Sequence, residues 1–397
     1  MNNVKWYIIA GAVLGVLGAA LVHFGNPGNM GVCVACFLRD TTGALGFHRA
    51  AVVQYIRPEI IGLVFGGFLA SVLWTREFAP VTGSSPFAKF FLGIFAMIGC
   101  LVFLGCPWRA FLRLGGGDLT ALAGLAGLIC GVLIGFLLKK RGYEASKEAR
   151  LSGAIGILPV ILGAALLAAL VFGLKTGEGG ALFISAKGPG AQHAAVGISL
   201  AAGIIVGAVM HRSKFCSVGA FGRIFRGDFS MFWGVLSVIA FASIANIAFG
   251  QYKLGFEDQP IAHNDFVWNF LGMVLAGLCF SLSEGCPGKH LVQAGTGNLS
   301  SGVFVIGMAA GAAIAHNFLL ASSAKGITEF APYAVAIGFV FALYVGIFQR
   351  RVGQSERTAR RKGMTLPAYK APSRDGCRVS ELARRALALL GVSGGRI

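Results

Sequence analysis

The sequence predicts an all-α polytopic membrane protein: about ten transmembrane helices in two inverted repeats, with short re-entrant helices. Three observations carry this reading. Hydrophobic residues make up 56% of the 397 positions and charged residues only 13%, with 59 glycines and a mean hydropathy of +0.74. The apolar residues fall in runs long enough for a helix to cross the hydrocarbon core, which takes about 20 residues. Finally, the string GCPWRAFLRLGGGDL is echoed by GCPGKHLVQAGTGNL, with Cys106 and Cys286 at a shift of 180 positions.

The runs are 6–24, 56–74, 89–105, 119–138, 151–174, 194–210, 231–250, 266–284, 299–320 and 331–348. The first has the length of a secretory signal, but no small-residue cleavage site follows it and similar runs recur, so it reads as the first spanning helix. Glycine and alanine inside the runs let helix backbones approach closely, the usual basis of helix packing in lipid. The net charge of +18 is that of many nucleic-acid binders. Here, however, Lys and Arg concentrate in connections and in the tail, as the positive-inside rule expects, so a lipid bilayer and no nucleic acid is the expected environment. KKRGYEASKEAR at 139–150 and the basic tail from 350 are assigned to the cytoplasm of a bacterial inner membrane, with both termini on that side. The acidic loop QYKLGFEDQPIAHND falls outside, and Arg39, Arg49, Arg109 and Arg113 break the rule by lying toward that same side.

The 180-residue shift also carries Cys36 onto Cys216, Arg109 onto Lys289, Gly117 onto Gly297 and Asp118 onto Asn298, without a gap. The chain therefore divides into a first repeat (1–145), a connecting helix and loop (146–190), a second repeat (191–325), a final helix (326–349) and a basic tail (350–397). Four spans per repeat with one between them invert the second copy, an arrangement common in transporters that bind substrate at the repeat interface. In each motif Gly-Cys-Pro reads as a chain break followed by a short helix, 107–114 or 287–294, because proline suits the first helical turn. The cysteine then sits where unpaired N–H groups and the positive helix end form an anion site, with Arg109 or Lys289 beside it. The thiol form is the expected one for passage of an anion, since a thiolate would repel it. On this reading the candidate pathway residues are Cys36, Cys106, Cys216, Cys286, Arg109 and Lys289.

At these motifs the chain resembles the YeeE/YedE family of sulfur-transport membrane proteins over nearly its whole length before the tail. FGNPGNMGVCVACFLRD, AAVVQYIRPEIIGL, GCPWRAFLRLGGGDL and LGFEDQPIAHND look like the YedE-type branch associated with selenium. The resemblance implies an hourglass-shaped bundle in which cysteines near the constriction pass thiosulfate inward, with Cys36, Cys106, Cys216 and Cys286 at the matching positions. The expected function is import of a small selenium- or sulfur-containing species such as selenite or thiosulfate, without enzymatic activity or a cofactor. The final span and the long tail depart from the family pattern. RVSELARRALALLGV in that tail reads as one amphipathic helix for lipid attachment, or for docking a cytoplasmic sulfur- or selenium-handling protein.

Cys33 has Ser213 as its gap-free counterpart and is an auxiliary candidate, as are Cys100 and Cys279 on the spans leading into the motifs. Glu284 is a candidate proton carrier. Cys130 reads as packing, and Cys377 lies in the tail. His23, His290 and His316 lack metal-ligand spacing, and no phosphate-binding loop is present, so neither metal nor ATP is expected. The rival function is a membrane thiol oxidoreductase that uses the Cys33-Cys36 pair.

Overall fold

The computed structural model describes residues 2–83, 85–145, 148–174 and 182–349. The tail, with its expected amphipathic helix and Cys377, lies outside the described residues. In chain order the elements begin with α1 (Asn2–His23), α2 (Val34–Ala44), α3 (Pro58–Leu69, prolonged by a π turn, Ala70–Trp74), β1 (Val81–Gly83), α4 (Pro86–Phe103), α5 (Pro107–Gly115) and α6 (Ala121–Lys140). After these come β2 (Glu148–Arg150), which pairs antiparallel with β1, and α7 (Gly153–Gly156) and α8 (Leu158–Val171). A second series follows: α9 (Val196–Ser213), α10 (Ser217–Ile224), α11 (Phe232–Ala248), α12 (Phe266–Ser283), α13 (Pro287–Gly295), α14 (Leu299–Asn317) and α15 (Ala331–Phe348). Among the described residues, eight helices are long and apolar enough to cross a membrane. Two of the ten expected spans, now Pro58–Trp74 and Phe232–Ala248, are shorter apolar helices. The expected span 151–174 is among the eight, as Gly153–Val171, with a break at Ile157 between α7 and α8.

The two Gly-Cys-Pro motifs fold alike. α4 ends on Leu104 and α12 on Glu284, both in the left-handed conformation (φ 63° and 70°). The next amide then reaches back into the helix: Gly105 N–H donates to Cys100 O at 2.7 Å, and Gly285 N–H to Phe280 O at 3.0 Å. A non-glycine residue in this conformation costs about 1–2 kcal/mol, and each turn is tied by a cation from the helix that follows. Arg109 donates to Leu104 O, and Lys289 Nζ donates to Glu284 O at 2.7 Å. Both cations, expected to attract an anion, thus also carry a structural bond. Cys106 and Cys286 are extended and start α5 and α13, with Pro at the first helical position as expected. Gly117 and Gly297 close the short helices at φ +92° and +93°, where a side chain would be strained.

Helices of one series pack on helices of the other. α1 lies along α11 and, equivalently, α3 along α9; α6 lies along α12 and α14 along α4. The equivalence holds at single residues. A Cβ on Gly127 would sit 2.1 Å from Phe270 O and one on Gly131 2.2 Å from Val274 O; on Gly307 and Gly311 it would meet Phe90 O at 2.1 Å and Ile94 O at 2.6 Å. Each of these residues maps onto its counterpart by the same 180-residue shift. Gly127→Ala and Gly307→Ala are each expected to lose about 1–3 kcal/mol by overpacking against a carbonyl that cannot move alone. Thermal unfolding in detergent checks this, and an unshifted midpoint in both variants would show that the helices separate freely.

Of the four arginines expected to run against the positive-inside rule, three are buried and Arg49 is exposed. Arg39, Arg109 and Arg113 are at most 3% exposed. Arg39 and Arg57 share Asp40, each at 2.7 Å, and Arg113 pairs with Asp118 at 2.6 Å. Arg49 stacks over the Phe183 ring at 4.8 Å. The rule concerns loop charges left in water at the membrane surface; Arg39 and Arg113, buried against carboxylates, escape it, and Arg109 is buried among backbone carbonyls.

Candidate functional site: two thiol clusters and a basic cavity

The first cluster forms where α2 and α5 begin. Cys33 caps α2, its sulfur accepting from Cys36 N–H at 3.3 Å. Its Sγ lies 2.7 Å from Cys36 Sγ and 3.9 Å from Cys106 Sγ. Arg109 Nη1 reaches to 3.6 Å of Cys36 Sγ. Its other donors are taken by backbone: Nε donates to Asn29 O at 3.3 Å, and Nη2 to Pro260 O at 3.4 Å and Ile261 O at 3.1 Å. The acidic loop between α11 and α12 thus closes over this cluster, and Cys33, Cys36, Cys106 and Arg109 are all buried.

The second cluster forms where α10 and α13 begin. Cys216 caps α10, accepting from Gly219 N–H at 3.4 Å, and its thiol is in hydrogen-bonding reach of Cys286. The capping geometry corrects the gap-free pairing of the repeats at this point. Cys216 occupies the position of Cys33, not of Cys36, because α10 starts three residues later than a uniform shift of 180 would place it. The Cys33–Cys106 pair therefore corresponds to Cys216–Cys286, and Cys36 is the additional thiol of the first half.

The second cluster is open. Cys216 lines a cavity of about 430 Å³ together with His211, Lys214, Arg223, Arg226 and Lys289. The carboxylate here, Glu77, accepts from Lys214 Nζ at 2.5 Å, and that ammonium holds its carboxyl below the usual range. A smaller cavity of about 140 Å³, lined by Lys139, Arg226, Glu284 and Lys289, also reaches Cys216. Glu284 is thus an exposed residue at the rim. Cys100 and Cys279 are fully buried on the central helices α4 and α12, outside both clusters' sulfur contacts. Cys130 is half-buried on α6.

Sequence reasoning missed the residue between the clusters. Trp108 follows Cys106 by two positions, and its indole packs against Gly288, which follows Cys286 by two: a Cβ there would lie 2.3 Å from Trp108 Cζ2. Trp108 and Gly288 are equivalent under the 180-residue shift, so the two motifs meet at matching points. The Trp108 side chain is buried, and its Nε1–H has no hydrogen-bond partner among the described residues. Its duplicated setting, a large residue opposite glycine in GCPW and GCPG, was the signal available.

No curated protein matches the chain. Residues 212–350, which contain the second cluster, α13, α14 and α15, match the sulphur transport family. With the apolar helices, this match points to a multi-pass membrane transporter of a sulfur species.

Proposed function

We propose that the protein imports a small sulfur- or selenium-containing oxyanion, thiosulfate or selenite, through a pathway that runs past both thiol clusters. The carrying observation is that equivalent thiol pairs, Cys33–Cys106 and Cys216–Cys286, begin short helices on either side of Trp108, with one pair opening on a basic cavity. In this reading the two series are inverted repeats, the ten apolar helices all cross the bacterial inner membrane, and the constriction lies at Trp108 and Gly288. Both termini and the basic cavity face the cytoplasm; Lys139, next to the basic 139–150 connection, lines the smaller cavity beside it.

Each element of the site has a task. Thiols are weak donors and polarizable, which suits a soft sulfur or selenium atom better than a hydroxyl does. The N-termini of α5 and α13 supply fixed positive dipole ends without a mobile cation that would hold the anion too long. Trp108 Nε1–H is a buried donor available to an oxyanion in transit. Lys214, Arg223, Arg226 and Lys289 then lower the energy of the anion on the inner side. This matters because moving one negative charge inward against a negative-inside potential costs about 2.3 kcal/mol per 100 mV. The receiving partner is proposed to be a cytoplasmic sulfur- or selenium-handling protein.

The test is uptake of labelled thiosulfate and labelled selenite into proteoliposomes. Wild type is expected to take up at least one of them, and Trp108→Phe, which keeps the ring and removes the N–H, is expected to slow uptake about 10-fold, the worth of one hydrogen bond to a charged group. No uptake of either anion would sink the proposal. The 2.7 Å approach of Cys33 to Cys36 favours one second reading, a thiol redox relay. Such a relay must pass through an oxidised pair, so uptake that continues undiminished under excess reductant excludes it.

A further inference from the structure

We infer that Glu59 is the proton-binding site that couples proton entry to anion import; this rests on the transport reading above. Glu59 stands in the first turn of α3 and is completely buried. Its Oε1 accepts from Asn26 Nδ2 at 2.7 Å and from Ser199 Oγ at 2.9 Å, both neutral donors. Its Oε2 has no hydrogen-bond partner among the described residues, and the carboxyl takes part in no ion pair among them. A fully buried carboxyl with an unpartnered oxygen is rare inside a membrane bundle, and such groups mark ion and proton routes.

The charged and titratable neighbours do not neutralise it. Arg57, two residues away, is engaged by Asp40, by Gln192 O at 2.9 Å and by Pro189 O at 2.7 Å. Arg39 on α2 is bound to the same Asp40. Tyr55 precedes α3 and is stacked with His193 at 4.1 Å. α9 presents Ser199 here, while its His211 and Arg212 lie three turns further along; α8 has no titratable residue. α13, with Lys289 and His290, meets α3 one to two turns away, through Gly67 against Val292 and Val64 against Gly295.

The link to the pathway is Asn26. Its Nδ2 bridges Glu59 to Gly31 O at 3.1 Å, and its Oδ1 accepts from Ala194 N–H at 2.9 Å. Gly31 belongs to the segment that carries Asn29, bound by Arg109, and Cys33, the cap of α2. Protonation of Glu59 changes what Asn26 is bonded to, and thereby biases the segment that closes over the first thiol cluster. The arriving proton also offsets charge carried in by the anion. Glu284, the proton candidate from sequence, is exposed at the opposite cluster and has no such connection.

The full-length protein in proteoliposomes tests this with labelled thiosulfate at clamped membrane potential. Wild type is expected to accumulate the label several-fold when an inward proton gradient is imposed. Glu59→Gln, which mimics the protonated side chain, is expected to lose that accumulation yet still exchange labelled for unlabelled thiosulfate; Glu59→Asp retains part of it. In wild type, dicyclohexylcarbodiimide, which attacks protonated buried carboxyls, is expected to label Glu59 and block uptake, a readout that does not depend on a variant folding. Net uptake by wild type that ignores the proton gradient, gradient-driven accumulation by Glu59→Gln, or no carbodiimide adduct on Glu59 overturns the inference alone. Absence of both uptake and exchange in wild type overturns the transport reading and the inference with it.

Discussion

Cys216→Ala and Cys286→Ala are each expected to reduce thiosulfate uptake by about 10- to 100-fold while leaving the protein folded. Each thiol begins a short helix, and Cys216 lines the basic cavity together with Lys289 from the helix that Cys286 begins. Alanine leaves Pro287 at the start of α13; at position 216 it also gives up the sulfur cap on Gly219 N–H, a loss of about 0.5–2 kcal/mol that a bundle of this size withstands. A hydrogen bond to a charged partner is worth about 1.5–3 kcal/mol, which sets that range of fold-changes. Serine at either position restores a donor but not a soft one, so partial recovery is expected for thiosulfate. Cys130→Ala is the matched control, since Cys130 is half-buried on α6 and lines neither of the two cavities that reach Cys216. If uptake survives both replacements, the thiols are packing residues and the pathway runs elsewhere.

Asp118→Ala is expected to destabilise the protein by about 3–5 kcal/mol, because it leaves a fully buried guanidinium without its anion. Arg113 bonds Asp118 at 2.6 Å, Phe103 O at 3.0 Å and Thr120 Oγ1 at 2.5 Å, so the pair holds the end of α5 against the end of α4. The second half builds the same corner without charge. Gln293 and Asn298 occupy the positions of Arg113 and Asp118, and both accept from Ser301: Gln293 Oε1 from its hydroxyl at 3.1 Å, Asn298 Oδ1 from its N–H at 2.9 Å. The double variant Arg113→Gln, Asp118→Asn is therefore expected to regain most of the stability lost in Asp118→Ala, since neither charge remains to be paired. Thermal unfolding in detergent reads both effects; a double variant no better than the single one would show that the ion pair contributes more than compensation of its own burial.

Much of the bundle was legible because membrane helices are written in local chemistry. The apolar runs, the Gly-Cys-Pro breaks and the glycines that close α5 and α13 depend on residues a few positions apart; helices form over the runs, eight of them long enough to span, and the breaks fall where they were read. The duplication was legible for the same reason, being a comparison of local strings. The arginines were not: a charge buried against Asp40 or Asp118 and a charge in a loop look alike along the chain. Nor was the capping role of Cys216, since a three-residue offset in one helix start is invisible to a uniform shift.

The sequence by itself determined a helical membrane protein with a repeated thiol-bearing helix break, since composition, periodicity and proline and glycine placement act over one or two turns. Only the tertiary structure decided which thiols meet, that Trp108 faces Gly288, that a loop seals one cluster while the other opens on a basic cavity, and that Glu59 is left with an unpartnered oxygen. Those features join segments far apart in the chain. They are set by how closely glycine-lined helices of one half approach the backbone of the other, which no local pattern records.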